Sequence, residues 1–247
     1  MKSTTTPKTK DLDSPLNLAP REPSLEEKVP SRMGICLEGW RFVGLAFLGA
    51  VGFFFWGGLV WGVIPALVTI WVAWFFRDPI RVIPEDEKSL VSPADGTILS
   101  VGTPEKSAWM QNEELSQYTR ISIFMSIFNV HINRVPIKAV ILKAKYNPGR
   151  FFSAFKEKAS LENEQMAIWL KTTGHSTILM VQIAGLIARR IVCKLSPDET
   201  VEKGIKFGLI RFGSRMDVYL PKDQFRILVE KGQRVQGGST VLAEYKS

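Results

Sequence analysis

Residues 42–76 carry no charged side chain, and no other feature constrains the fold of this chain as strongly. A helix that is apolar on every side has no polar face to turn to water, so it does not pack on the surface of a soluble domain. The run is longer than a single membrane crossing, which needs about 20 apolar residues. Gly57, Gly58 and Pro65 lie near its middle, where such residues turn or break a helix. The spacing predicts two short, tightly turned helices. Arg41 precedes the run and Arg77 and Arg81 follow it, and the preference of Lys and Arg for the cytoplasmic side places both ends there. A transmembrane helical hairpin over residues 35–81 is expected, set in the cell (inner) membrane with the rest of the chain facing the cytoplasm. A cleaved signal peptide does not fit, because the run begins about forty residues in, is too long and lacks a small-residue cleavage site. Hydropathy leaves open whether the second half crosses fully or lies in the interface.

Residues 1–34 are rich in Lys, Pro, Ser, Thr and Glu and read as a disordered tail. With 32 Lys and Arg against 24 Asp and Glu, the formal charge is +8, which draws the chain to nucleic acid and acidic lipid alike. The apolar run decides for lipid, and no nucleic-acid motif competes with it. Cys36 and Cys193 are the two cysteines, too few and too differently placed for a disulfide framework or a metal cluster. With only His131 and His175, a multi-histidine metal centre is nearly excluded, and no metal is expected.

From residue 82 onward the pattern changes to short β-branched runs separated by Gly, Pro, Asp and Asn, as in residues 96–102, 121–124 and 178–183. These read as strands, with one helix expected over residues 153–164. Val201-Glu-Lys-Gly204 and Val229-Glu-Lys-Gly232 echo one another, which suggests a folded-back sheet. Segments of this kind are also common in barrel-sandwich carriers. The expected fold is therefore mainly β, of the α+β class: a barrel-sandwich-like β domain over residues 82–247 behind the N-terminal hairpin. A non-enzymatic, membrane-anchored adaptor or carrier is the first rival reading. A carrier needs a modifiable Lys at a tight turn, whereas the matching turn here holds Asp95-Gly96.

Several residues can carry chemistry. Gly213 allows a backbone conformation closed to other residues, and Ser214 places a hydroxyl beside the carbonyl of its own preceding peptide bond, which permits self-attack. On geometry alone a Gly-Ser pair between strands is more often a bulge or turn. His131 lies among polar residues that interrupt an apolar strand; it is either a satisfied strand-end histidine or a proton carrier. Asp95 by itself reads as a hairpin turn residue, and His175 as an exposed turn residue. The loop 146–156 mixes aromatic and basic residues, which suits either a lipid-facing lip or core packing.

Taken together, the blocks Phe75-Phe-Arg-Asp-Pro79, Ser92-Pro-Ala-Asp-Gly96, Phe124-Met-Ser-Ile-Phe-Asn-Val-His131 with Asn133-Arg-Val-Pro136, Asn163-Glu-Gln165, the segment 182–193, and Phe212-Gly-Ser-Arg-Met-Asp-Val-Tyr-Leu-Pro221 resemble the short form of the phosphatidylserine decarboxylase family. The resemblance runs from about residue 75 to residue 245. It implies that the chain cuts itself between Gly213 and Ser214, giving a large chain 1–213 and a small chain 214–247. Ser214 would become a covalent pyruvoyl group, the only cofactor. It also implies phosphatidylserine in the membrane as substrate: the substrate's amine meets the pyruvoyl ketone, which draws electrons as the carboxylate leaves as carbon dioxide, and phosphatidylethanolamine is released.

The longer form of the family uses an Asp, a His and the Ser for self-cleavage. Asp95 matches that Asp. The longer form carries two histidines three apart where this chain has His131 and Arg134, and an arginine cannot act as a base at neutral pH. The resemblance therefore makes His131 the base or proton donor, with Asp95 orienting it or acting directly. Arg134 would bind the substrate's phosphate or carboxylate. Gly238-Ser-Thr240 mimics the longer form's cleavage signature, but cutting there would release only a few residues. An archaeal ether-lipid analogue as substrate and a homo-oligomeric state both stay open.

Overall fold

A computed structural model of the chain describes residues 27–186, 190–211 and 213–246. Most of the expected tail, and Phe212 beside the expected cleavage point, lie outside them. Short strands β1 (Ser31–Arg32) and β2 (Ile35–Cys36) lead into the long apolar helix α1 (Trp40–Phe75). Then follow β3 (Ser89–Val91), β4 (Gly96–Gly102), α2 (Asn112–Leu115), β5 (Tyr118–Met125), β6 (Ile132–Arg134), β7 (Ala139–Asn147), α3 (Ala159–Glu162), β8 (Gln165–Thr172) and β9 (Thr177–Ala184). The chain closes with β10 (Ile191–Cys193), β11 (Thr200–Val201), β12 (Lys206–Ile210), β13 (Ser214–Pro221), β14 (Phe225–Ile227), β15 (Arg234–Val235) and β16 (Val241–Tyr245). The fold is thus mainly β behind one long apolar helix.

The largest sheet is eight-stranded, in the order β11-β7-β8-β9-β13-β5-β4-β15. Its central strands alternate strictly, because successive side chains point to opposite faces. Met216, Val218 and Leu220 of β13 and Ile178 and Met180 of β9 face one core. Leu179, Val181, Ile183 and Tyr219 face another, together with Leu115 of α2 and Ala159 of α3. The first core is shared with two three-stranded sheets, β10-β12-β6 and β14-β16-β3. A buried hydrogen bond from Gln182 Nε2 to Asn133 Oδ1 at 2.8 Å ties β9 to β6 across the layers.

Helix α1 is broken at Gly58, where φ 73° and ψ −165° leave the helical region. The break is sharp enough to bring the two ends of the apolar run together. Cys36 N–H donates to Phe76 O at 2.9 Å, Ile35 bridges Arg77, and the rings of Phe42 and Phe76 stack at 5.5 Å. Both arms, each roughly 26 Å long at 1.5 Å per residue, therefore stand on one small apolar base of Val29, Cys36, Phe75, Phe76, Val130, Ile132 and Leu209. Beyond that base the helix is bare: Phe55 is 81% exposed, Trp56 80% and Val60 79%.

Two expectations are corrected. Residues 27–34, assigned to the tail by composition, run along the domain: Val29 is fully buried, Lys28 N–H donates to Lys206 O, and its ammonium meets Glu199 at 2.7 Å. The helix expected over 153–164 shrinks to the four residues of α3. Asn163 explains this, because its side chain accepts from Phe152 N–H at 2.9 Å and donates to Phe152 O at 2.8 Å. Such clasping of the two loop ends is incompatible with a continuous helix between them. The two echoed segments are turns of one kind, with Gly204 and Gly232 at φ 87° and 89°, a region glycine enters freely.

Candidate active site

Ser214 opens β13, the strand at the centre of the large sheet, and pairs with Met125 of β5 on one side and Ala184 of β9 on the other. It is completely buried. Its hydroxyl points to the core face and donates to Met125 Sδ at 3.8 Å, a weak acceptor that leaves the oxygen available. Gly213 precedes it at φ +72°, the left-handed region that costs other L-residues roughly 1–2 kcal/mol. The carbonyl of Gly213 lies on Gly185, so closely that a Cβ on Gly185 would come within 2.2 Å of the oxygen. The 213–214 peptide thus sits where chain direction changes abruptly between a left-handed residue and a fully paired strand.

His131 meets the chain at Gly213. It is only 2% exposed, and its ring packs on Phe75 with centroids 4.2 Å apart. Nδ1 lies 2.9 Å from the carbonyl of Asn129, which makes it the protonated nitrogen. The lone pair of Nε2 then accepts from Gly213 N–H at 3.4 Å. Burial pushes the His131 pKa down to about 4, against the opposing hydrogen bond to Asn129 and with Arg77 adding repulsion. The ring is therefore neutral at physiological pH, with Nε2 on the amide of Gly213, one peptide before the 213–214 bond.

Asp95 precedes β4, at the same end of the sheet as Ser214 and separated from it by β5. Two strand spacings are roughly 10 Å. Oδ2 accepts from Arg81 Nη2 at 2.6 Å and Oδ1 from Gly237 N–H at 2.8 Å. Burial raises its pKa, and the Gly237 amide and Arg81 pull it back. His131 Nδ1 thus meets the Asn129 carbonyl, while the Asp95 carboxylate meets Arg81 and the Gly237 amide. The Arg134 guanidinium donates to Asp78 at 3.2 Å and to the Gly204 carbonyl at 3.1 Å, which fastens the chain leaving α1 to the β domain.

Beside Gly213 opens a cleft of ≈ 270 Å³, lined by Phe124, Ser126, Ile127, Ser153, Ala154, Leu186 and Gly213. Phe128, Phe155 and Leu186 stand around it, more than 60% exposed, and Phe128 packs on Trp74 at the end of α1. The aromatic loop therefore divides: Phe151 packs on the core, while Phe155 faces out beside Phe124. His175 is an exposed turn residue at φ 62°. Among the described residues no His, Cys, Asp or Glu cluster could hold a metal ion. Sequence reasoning missed Asn129, Gly185, Arg81 and Gly237. Of these, only Asn129 left a signal, in its spacing two residues before His131.

The model of the family described as phosphatidylserine decarboxylase matches residues 68–243. The chain belongs to the phosphatidylserine decarboxylase family. A phosphatidylserine decarboxylase proenzyme of Paramagnetospirillum magneticum is 48% identical over 211 residues, covering 85% of this chain and 86% of the relative. Those of Nitrosomonas eutropha and Syntrophus aciditrophicus are 45% and 46% identical, covering 86% and 74% of this chain and 95% and 84% of their own length. All three relatives are proenzymes by name.

Proposed function

We propose that this chain is a self-processing decarboxylase that converts phosphatidylserine to phosphatidylethanolamine while attached to a membrane by the two arms of α1. The observation that carries the reading is the 213–214 junction: a left-handed glycine whose N–H is held by a neutral histidine, followed by a buried serine whose hydroxyl donates to a thioether. Ser214 Oγ attacks the Gly213 carbonyl carbon as Nε2 of His131 takes its proton and passes it to the leaving nitrogen of residue 214, so the C–N bond breaks and the amide becomes an ester. Removal of the α-proton of residue 214 then expels the ester oxygen from Cβ, leaving Gly213 as the carboxylate end of the large chain and residue 214 as dehydroalanine. Water then replaces ammonia, leaving a pyruvoyl group on the small chain. The residues around Ser214 fit that group, since loss of the amine and hydroxyl leaves a flat ketone at a strand end with Gly185 and Gly213 on either side. When formed, it supplies an electrophilic ketone that draws electrons from the substrate as carbon dioxide departs.

The surroundings have separate tasks in this reading. Asn129 holds His131 in the tautomer that presents Nε2. Asp95 joins the large chain to the Gly237 turn of the small chain and pins Arg81. The cleft beside Gly213 admits the serine headgroup, with Phe128, Phe155 and Leu186 against acyl chains. The helical arms enter the bilayer as a hairpin from the cytoplasmic side. Ser214→Ala tests the reading: an intact-mass spectrum should show the full-length chain, without decarboxylation of phosphatidylserine in mixed micelles. A normal small chain from this variant would move the cut elsewhere.

A further inference from the structure

Four cations gather where the first arm of α1 leaves the β domain. Arg211, two residues before Gly213, is 9% exposed, and its Nε and Nη2 are buried without a hydrogen-bond partner among the described residues. Its guanidinium lies over the Phe42 ring at 4.9 Å, and that of Arg41 lies over the same ring at 5.0 Å. Arg190 is close enough, with Arg41, to depress the Arg211 pKa further, although burial is the main cause. Lys194 completes the group. Among the described residues Glu38 is the one carboxylate in ion-pair contact with them, at 3.8 Å from Arg211, 3.8 Å from Arg41 and 3.3 Å from Lys194. A single carboxylate at those distances neither neutralises four cations nor satisfies the buried guanidinium, and a buried donor left unpaired is costly. Two oxygens on one tetrahedral centre are the natural complement of a guanidinium edge.

We propose that Arg211, Arg41, Arg190 and Lys194 cradle the phosphodiester of a membrane phospholipid headgroup. The place identifies the source. Phe42 is the first residue of the uncharged run, so a bilayer entered by the arms puts its phosphates at this level, while the arms themselves keep nucleic acid or a folded acidic partner away. The inference rests on the membrane reading of α1 and not on decarboxylation.

The test uses the full-length Ser214→Ala chain in uncharged detergent micelles, titrated calorimetrically with dioctanoyl phosphatidylglycerol, which has neither the amine nor the carboxylate of the substrate. Saturable binding is expected. Arg211→Gln should weaken it about tenfold or more. The double change Arg41→Gln and Lys194→Gln, at exposed positions that do not threaten folding, should do the same. Lys231→Gln, an exposed cation on the distant Gly232 turn, should leave it unchanged. Dioctanoylglycerol, lacking the phosphate, should show no sensitivity to these changes, and inorganic phosphate should bind far more weakly than the lipid. Equal phosphatidylglycerol isotherms for the unchanged chain and the double variant would overturn the proposal. Inorganic phosphate binding as tightly as the lipid would overturn its lipid assignment. Because neither pyruvoyl nor substrate is involved, a failure here is distinguishable from a failure of the decarboxylase reading.

Discussion

At the scale of single residues, the account turns on a histidine kept neutral and two glycines without alternatives. The pKa of His131 lies near 4 when folded against an ordinary 6.5, so the folded state binds this proton less readily than the unfolded one. The stability associated with a neutral His131 is fully present above about pH 6.5 and is lost as pH falls through 4, roughly 3 kcal/mol over that interval. Self-cleavage should share the dependence: a flat rate from pH 6.5 upward as far as this group is concerned, and a steep fall below pH 5, followed by gel analysis of freshly translated chain. A rate that rises on acidification would remove His131 as the base. Gly185→Ala should leave most of the chain unprocessed and destabilise it by about 1–3 kcal/mol, since the new methyl must push the Gly213 carbonyl aside. Intact mass and a urea midpoint check the two halves of that expectation. Gly213 and Ser214 were legible in the sequence because a Gly-Ser pair before an apolar strand is a local signal. The need for glycine at 185 was not, because it arises from contact with a carbonyl 28 positions away in the chain.

Among elements, the strands were the legible part and the loop before β8 was not. Short β-branched runs between turn residues mark β4, β5 and β9 directly, and Gly57-Gly58 marks the break in an otherwise uniform apolar run. Residues 153–164 carry good helix formers, yet the Asn163 side chain holds both the N–H and the carbonyl of Phe152 and also donates to Ala184 O at 2.7 Å. Long-range bonding of one amide thus overrides the local propensity of a whole segment, and no periodicity announces it. Asn163→Ala should lower the stability by about 2–4 kcal/mol through loss of these buried bonds, read as a lower urea midpoint with the slope unchanged. A shift under about 0.5 kcal/mol, within the range of ordinary surface changes, would show that the loop is held by its apolar contacts instead. The partners of Asp95 and Arg134 were hidden for a related reason: sequence spacing identifies chemically capable side chains, but it does not reveal that Arg81 and the Gly237 amide meet Asp95 and that Asp78 meets Arg134.

For the whole molecule, the proposed cut between Gly213 and Ser214 would leave two chains that stay paired. Residues 214–246 supply β13 to the large sheet, β15 beside β4, and β14 and β16 to a third sheet with β3. β13 is paired along its full length to β5 and over most of it to β9, and all eight of its residues are buried. After cleavage the small chain should therefore co-elute with the large one in non-denaturing chromatography and separate only in denaturant. The bare arms of α1 set the other property of the whole: extraction from membranes should need detergent. The central claim is self-cleavage between Gly213 and Ser214 with conversion of Ser214, and the intact-mass spectrum of the purified wild-type chain under denaturing conditions tests it most directly. The account requires two chains, the smaller beginning at residue 214 and lighter by one ammonia than the plain 214–247 peptide. A single full-length mass that persists on incubation with phosphatidylserine-containing membranes would contradict it.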